Sequence, residues 1–327
     1  MLDGSLAGYR PPCWLPGGHL QTIWAAKLAQ ACPLGPRPVF TRERWTTPDG
    51  DFVDVDFLPA PAAQAPLLVL FHGLEGSSAS AYALAFAQAA SARGWGFALP
   101  HFRGCSGELN LAPRAYHSGD FEEVGWMLQR LRARGPGPLR AVGISLGGNA
   151  LLRWTQEAGS TAGAVARAVA AVCSPIDLAA AGGAIDRGFN RQVYARMFLA
   201  TMKPKALAKL RQHPGLFDGE RIRRARTLFE FDDVFTGPLH GFAGTRDYWA
   251  RASAQPHLDC LRLPTLVLHA SNDPFIPAHS LPQAPPPGGW VTLWRPTAGG
   301  HVGFPAGTFP AHVGAMPQAV VDWLGRH

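Results

Sequence analysis

Gly143-Ile144-Ser145-Leu146-Gly147 is a G-x-S-x-G stretch. It lies between Leu139-Arg140-Ala141-Val142, which reads as a short strand, and Gly148-Asn149-Ala150-Leu151-Leu152-Arg153-Trp154, which reads as the start of a helix. A sharp strand-to-helix turn holds its central residue in a strained backbone conformation and lifts the serine oxygen clear of the sheet. Only glycine-sized neighbours let the chain fold that tightly. The five letters alone also fit an ordinary Gly/Ser turn, so the surrounding sequence decides.

Outward from this turn, short apolar runs alternate with longer amphipathic stretches. Candidate strands are Phe52–Leu58, Leu67–Phe71, Gly96–Pro100, Leu139–Ile144, Ala168–Cys173, Thr265–His269 and Trp290–Trp294. Helical spacing fits Ala79–Arg93, Asp120–Arg134, Gly148–Glu157 and Ala311–Leu324. This alternation predicts an α/β fold with a mostly parallel central sheet and helices on both faces. Leu67-Leu68-Val69-Leu70-Phe71 and Leu266-Val267-Leu268 are apolar on both faces, as central parallel strands should be.

The alternation breaks between about Asp177 and His257. That stretch carries Pro204, Pro214 and Pro238 and several helical patterns, but no convincing strand. It reads as a helical lid inserted between two strands. The expected division is therefore 1–176 for the first part of the core with an N-terminal extension, 177–257 for the lid, and 258–327 for the second part of the core. Pro282 to Gly289, with four prolines in eight residues, reads as a surface loop.

At 327 residues, 47% hydrophobic and 16% charged, the chain is neither disordered nor fibrous and can bury a substantial core. No apolar run approaches a membrane span of roughly 18 residues. Met1 to Tyr9 lacks the basic and apolar regions of a signal peptide, which makes a cytoplasmic location the expectation. Cys13, Cys32, Cys105, Cys173 and Cys260 are scattered without C-x-x-C spacing and read as small apolar residues rather than a disulfide framework or thiolate metal site. The formal charge is +7, and its densest run is Arg221-Ile222-Arg223-Arg224-Ala225-Arg226. A solvated helix face is the plain reading of that run; an anionic lipid surface or substrate is the functional one. No basic and aromatic interleaving suggests a nucleic-acid partner. No metal cluster or nucleotide loop appears, so no cofactor is expected.

A serine hydroxyl becomes a useful nucleophile when a histidine takes its proton and an acid orients that histidine. On a doubly wound sheet the acid and the histidine should follow later strands, in the order Ser, Asp, His. Leu266–His269 runs into Ala270-Ser271-Asn272-Asp273-Pro274, placing Asp273 beyond a strand's carboxyl end. Val291–Trp294 is followed by Gly299-Gly300-His301-Val302-Gly303-Phe304, placing His301 on a Gly-rich loop. The rival acids Asp247 and Asp259 lie in the lid or before the strand. For the oxyanion, one backbone N–H is expected from Leu146 and the other from Leu74, in His72-Gly73-Leu74-Glu75-Gly76 after an early strand. His72 reads as a structural support of that loop, and Glu75 as either a site residue or a loop ion pair.

These stretches, with His19-Leu20-Gln21-Thr22-Ile23-Trp24, Arg103-Gly104-Cys105-Ser106-Gly107, Tyr116-His117-Ser118-Gly119-Asp120, Phe231-Asp232-Asp233 and His240-Gly241-Phe242, resemble the α/β-hydrolases. Within them the chain is similar to the YheT-like group, relatives of plant embryogenesis-associated proteins and animal abhydrolase-domain lipid enzymes. The similarity runs from residue 19 to residue 304. It implies a Ser145, Asp273, His301 triad and a small-molecule carboxylic-ester substrate carrying an acyl chain, lipids included.

The expected activity is thus a serine carboxylesterase or lipase-like hydrolase. An acyltransferase using the same triad is the alternative, and a non-catalytic binding protein on this fold is a third. An H-x-x-x-x-D spacing linked to acyl transfer in some relatives occurs here only at His213 and Asp218, and reads as chance. His19–Trp24 reads as the start of an amphipathic helix packing on the sheet edge or covering the site. Asp120 reads as a helix cap, and the Phe231 and His240 stretches as residues that hold the lid in place, with substrate contact as the alternative. Phe189, Tyr194, Met197, Phe198, Leu199, Phe229, Phe231 and Phe235 read equally as an acyl pocket or as the lid's own core.

Overall fold

The fold is built on one eight-stranded sheet, seen in a computed structural model that describes residues 6–31 and 35–327. Cys32 and the first five residues of Met1–Tyr9 lie outside the described residues. The strands are β1 Thr41–Thr46, β2 Phe52–Leu58, β3 Leu67–Phe71, β4 Gly96–Pro100, β5 Leu139–Ile144, β6 Ala168–Val172, β7 Thr265–Leu268 and β8 Val291–Trp294. Their spatial order is β1-β2-β4-β3-β5-β6-β7-β8. β1 and β2 run antiparallel to their neighbours, and every pairing from β4 to β8 is parallel.

Alternation along the strands divides the core into two layers. Leu68, Leu70, Val142 and Ile144 face helix α2 (Ala81–Ala92) and the C-terminal helix Ala315–Arg326, against Phe86, Val320 and Leu324. Val69, Phe71 and Ala141 face the other way, against α3 (Phe121–Arg132) and α4 (Leu146–Ala158), with Met127, Leu128 and Leu151. Successive side chains of a strand point to opposite faces, so a strand clad on both sides must be apolar throughout. Each fully buried leucine or phenylalanine here contributes about 1.5–3 kcal/mol.

No strand occurs between β6 and β7. Helices Leu178–Ile185, Arg196–Gln212, Gly219–Arg224, Leu228–Val234 and Thr245–Ala252 fill that stretch. Leu199, Ala206, Ile222, Phe231 and Phe235 form an apolar cluster of their own within it.

Several expectations are corrected. β1, Thr-Arg-Glu-Arg-Trp-Thr, was not anticipated, because it is an edge strand whose arginines reach across to acids of β2: Arg42 to Asp56 at 2.7 Å and Arg44 to Asp54 at 2.8 Å. β6 stops before Cys173, which has φ +49°. Asp120 stands at the start of α3 but makes no side-chain cap; Arg114 holds its carboxylate at 2.6 Å instead. Cys105 and Cys173 are buried as apolar residues would be, whereas Cys13 and Cys260 are exposed.

Candidate active site

β5 delivers Ser145 at φ +52° and ψ −119°, a backbone region that side chains other than glycine rarely enter. Its N–H donates to Val172 O at 2.8 Å, which ties the turn to β6. The flanking glycines are required by close approach rather than by their own torsions. A Cβ at Gly143 would lie 2.4 Å from Gly148 Cα, and one at Gly147 would lie 2.4 Å from His72 O.

The loop after β7 buries Asp273, and the loop after β8 brings His301 to it. His301 Nδ1 donates to Asp273 Oδ2 at 2.9 Å, and the Ser145 hydroxyl donates to His301 Nε2 at 2.9 Å. With its proton on Nδ1 held by the carboxylate, the imidazole presents the Nε2 lone pair to the serine. Asp273 Oδ1 accepts the Phe275 N–H at 2.8 Å, and the Phe275 ring packs 4.3 Å from that of His301. The structure therefore brings together Ser145, Asp273 and His301, residues 156 and 28 positions apart in the chain. The rival acids are elsewhere: Asp247 accepts the Ala243 N–H and pairs with Arg251, and Asp259 is exposed.

Beside Ser145, the loop after β3 leaves the Leu74 amide open. Gly73 N–H donates to the Tyr82 hydroxyl at 3.1 Å, Glu75 N–H to the Tyr116 hydroxyl at 3.0 Å, and Gly76 N–H to Gly73 O at 2.9 Å. The N–H of Leu74, and that of Leu146 at the first turn of α4, meet no acceptor among the described residues. Two open donors beside a serine oxygen are the arrangement that stabilises a developing oxyanion. His72 braces this loop. Its Nδ1 donates to Gly73 O at 2.8 Å, and its Nε2 accepts the Phe102 N–H at 3.0 Å. Burial lowers its pKa to about 3, so it is neutral. Glu75 accepts from the Tyr116 hydroxyl and pairs with Lys205 at 2.9 Å, which makes it part of a loop ion pair at the site.

One set of residues here escaped the sequence reading. Helix α1, Gly17–Lys27, is not amphipathic in the usual sense, because two of its buried residues, Gln21 and Thr22, are polar. Thr22 Oγ1 accepts the His301 N–H at 2.8 Å. Gln21 Oε1 accepts the Gly299 N–H at 2.9 Å and Asn272 Nδ2 at 3.0 Å, while Asn272 Oδ1 accepts the Gly300 N–H at 2.9 Å. The helix thus pins the acid loop and the histidine loop together. A polar pair at the centre of an apolar helical stretch was the available signal, but nothing local says what it binds.

Two cavities meet at the serine, sharing Leu74, Glu75, Ser145, Phe198 and Phe275. Of the aromatic and apolar residues singled out between β6 and β7, Phe198, Phe231 and Phe235 line the first cavity, and Tyr194, Met197 and Phe198 line the second. Leu199 and Phe229 pack inward, and Phe189 is exposed. Asp232 is enclosed by hydrogen bonds from Thr236 at 2.6 Å and Trp249 at 2.9 Å, and burial raises its pKa to about 6. His240 donates to Ala115 O at 2.9 Å, tying its segment to the Arg103–Tyr116 loop region. His213 and Asp218 serve local structure: the imidazole donates to Leu111 O at 2.8 Å, and the carboxylate caps the helix Gly219–Arg224. On that helix Arg221 and Arg223 are exposed and pair with Asp233 and Glu220.

Comparison with known proteins follows the same lines. Residues 66–307 match the family model of the alpha/beta hydrolase fold. Over 311 residues the chain is 40% identical to "Putative esterase YheT" of Escherichia coli (strain K12), covering 94% of this chain and 89% of that one. It is 27% identical over 329 residues to phospholipase ABHD3 of Mus musculus, covering 97% and 78%. Among solved structures, Est1E from Butyrivibrio proteoclasticus with ferulic acid bound is alike in fold, with a TM-score of 0.53 at 13% identity over 88% of this chain and 98% of that one. No helix among the described residues is long and apolar enough to cross a membrane.

Proposed function

The chain belongs to the α/β-hydrolase family, in its YheT-like group, and from that premise we propose that it is a serine hydrolase of carboxylic esters working through an acyl-enzyme on Ser145. The observation that carries this reading is the hydrogen-bonded series from Asp273 through His301 to Ser145, at 2.9 Å for each link, opening on apolar cavities. Ser145 Oγ attacks the ester carbonyl as His301 Nε2 takes its proton. The carbonyl oxygen, now charged, is held by the N–H groups of Leu74 and Leu146. His301 gives the proton to the leaving alcohol, and a water activated by the same nitrogen releases the acid. Asp273 keeps the imidazole in its working tautomer and stabilises the imidazolium.

Residues 177–257 act in this reading as a lid that closes over the serine and supplies much of the first cavity's wall. The apolar lining favours a lipid-like ester over a sugar or peptide, in keeping with relatives named as an esterase and a phospholipase.

The test is a series of p-nitrophenyl esters from acetate to palmitate, assayed on the wild type and on Ser145→Ala. A loss of roughly 10⁴-fold or more in kcat is expected for the variant. Equal turnover in both proteins would end the serine mechanism.

A further inference from the structure

Ser145 faces both cavities, but His301 and Leu146 on either side of it do not. The first cavity, about 150 Å³, is walled by side chains such as Ile185, Met202 and Leu228 from the helices between β6 and β7. The second, about 310 Å³, is walled by Ile23 and Ala26 of α1 and by Val193. Phe198 and Phe275 line both and stand between them. His301 lines only the second cavity, whereas Leu146 lines only the first.

That asymmetry orients an ester. Cleavage breaks the bond between the carbonyl carbon and the alcohol oxygen, and that oxygen receives the proton held on His301 Nε2 as it leaves. It must therefore lie within hydrogen-bond reach of Nε2, on the side of the second cavity. The acyl chain, with its carbonyl oxygen toward Leu74 and Leu146, is left with the first. After the alcohol departs, the second cavity admits water next to the same nitrogen, where deacylation needs it.

We propose that the substrate lies across Ser145 with its acyl chain in the first cavity and its alcohol part in the second. Because both are walled largely by apolar side chains, the substrate class is an ester whose acid and alcohol parts are both apolar chains. This rests on the serine-ester reading above.

The test is a matrix of alkyl esters, ethyl to octyl alcohols against acetic to octanoic acids, followed by release of acid. For the wild type, kcat/KM should rise with chain length on both sides. Met202→Trp should lower octanoate relative to acetate by about 10-fold or more and leave the preference among alcohols unchanged; Val193→Trp should do the reverse. Ile185→Trp and Ala26→Trp form a second pair should either variant fail to fold. A Met202 variant that shifts the alcohol preference, or a Val193 variant that shifts the acid preference, overturns the orientation while leaving serine catalysis intact. Wild-type indifference to alcohol length overturns the two-chain substrate class. Acid release that does not depend on Ser145 removes the underlying reading, and this inference with it.

Discussion

The two loops that carry Asp273 and His301 and the helices between β6 and β7 both shape the same site, but they are held by different forces. The loops are fixed by directional bonds of long reach: Gln21 to Gly299 and Asn272, Thr22 to His301, across 251 to 279 positions of sequence. Among themselves the helices pack through apolar residues such as Leu199, Ile222 and Phe231, and a few bonds, such as Lys209 to Asn110 O and His240 to Ala115 O, tie them to the neighbouring loops. Hydrogen bonds fix direction as well as distance, whereas hydrophobic contact is non-directional and tolerates exchange of one shape for another of similar volume. Reacting atoms need the first kind of support and a chain-holding wall needs only the second. Disturbing the two regions should therefore produce different kinds of damage.

Apart from the serine itself, the largest effect is expected at the buttress. Gln21→Ala removes the acceptor shared by Gly299 and Asn272 without touching substrate, and should lower kcat by about 10²-fold with little change in KM, as a displacement near 1 Å of the histidine loop would. Thr22→Val keeps the shape but loses the bond to the His301 N–H, and Thr22→Ser should restore it. Steady-state kinetics on a short ester separate the cases. A rise in KM at constant kcat would show that α1 shapes the cavity and does not position the base.

A second effect, on stability, tests how tightly the strand ends behind these loops are sealed. His269, at the end of β7, donates to Ser174 O at 2.7 Å, and burial lowers its pKa to about 4. The unfolded chain takes up a proton at this residue below about pH 6.5 while the folded one stays neutral until about pH 4. The penalty therefore grows as pH falls through that window and is absent above it. His269→Gln can still donate to Ser174 O but does not titrate. Between pH 7.5 and pH 5 the wild type should lose about 2 kcal/mol of stability relative to the variant. Denaturant unfolding at the two pH values measures this, and a constant difference would mean that water reaches the imidazole.

These differences in support also explain what could be read from the chain alone. β3 and β4 begin and end where the apolar runs do, because a strand clad on both faces leaves an uninterrupted hydrophobic record, whereas in β2 the apolar residues alternate with Asp54 and Asp56. Ser145, Asp273 and His301 were legible because each follows a strand end in a fixed chain order. β1 was hidden because its arginines answer acids on β2 and leave no apolar period. The role of Gln21 and Thr22 was hidden because their partners lie more than 250 positions away, beyond any local pattern. The division of space around Ser145 into two cavities was hidden as well. It depends on how Phe198 and Phe275, from separate elements, meet.

The smallest effect belongs to the helices and completes the contrast. Ile222 is fully buried in their apolar cluster and lines neither cavity. Ile222→Val removes one methylene, and should cost about 1 kcal/mol of stability through lost transfer energy and a small void. Because that packing carries no directional bond to the serine, kcat on a short ester should stay within about 3-fold of wild type, against the roughly 10²-fold expected at Gln21. Unfolding and kinetic measurements on the same preparation decide the matter. A fall in kcat comparable to that of the Gln21 variant would mean that the helices transmit their packing to the reacting atoms, and that the two regions form one mechanical unit.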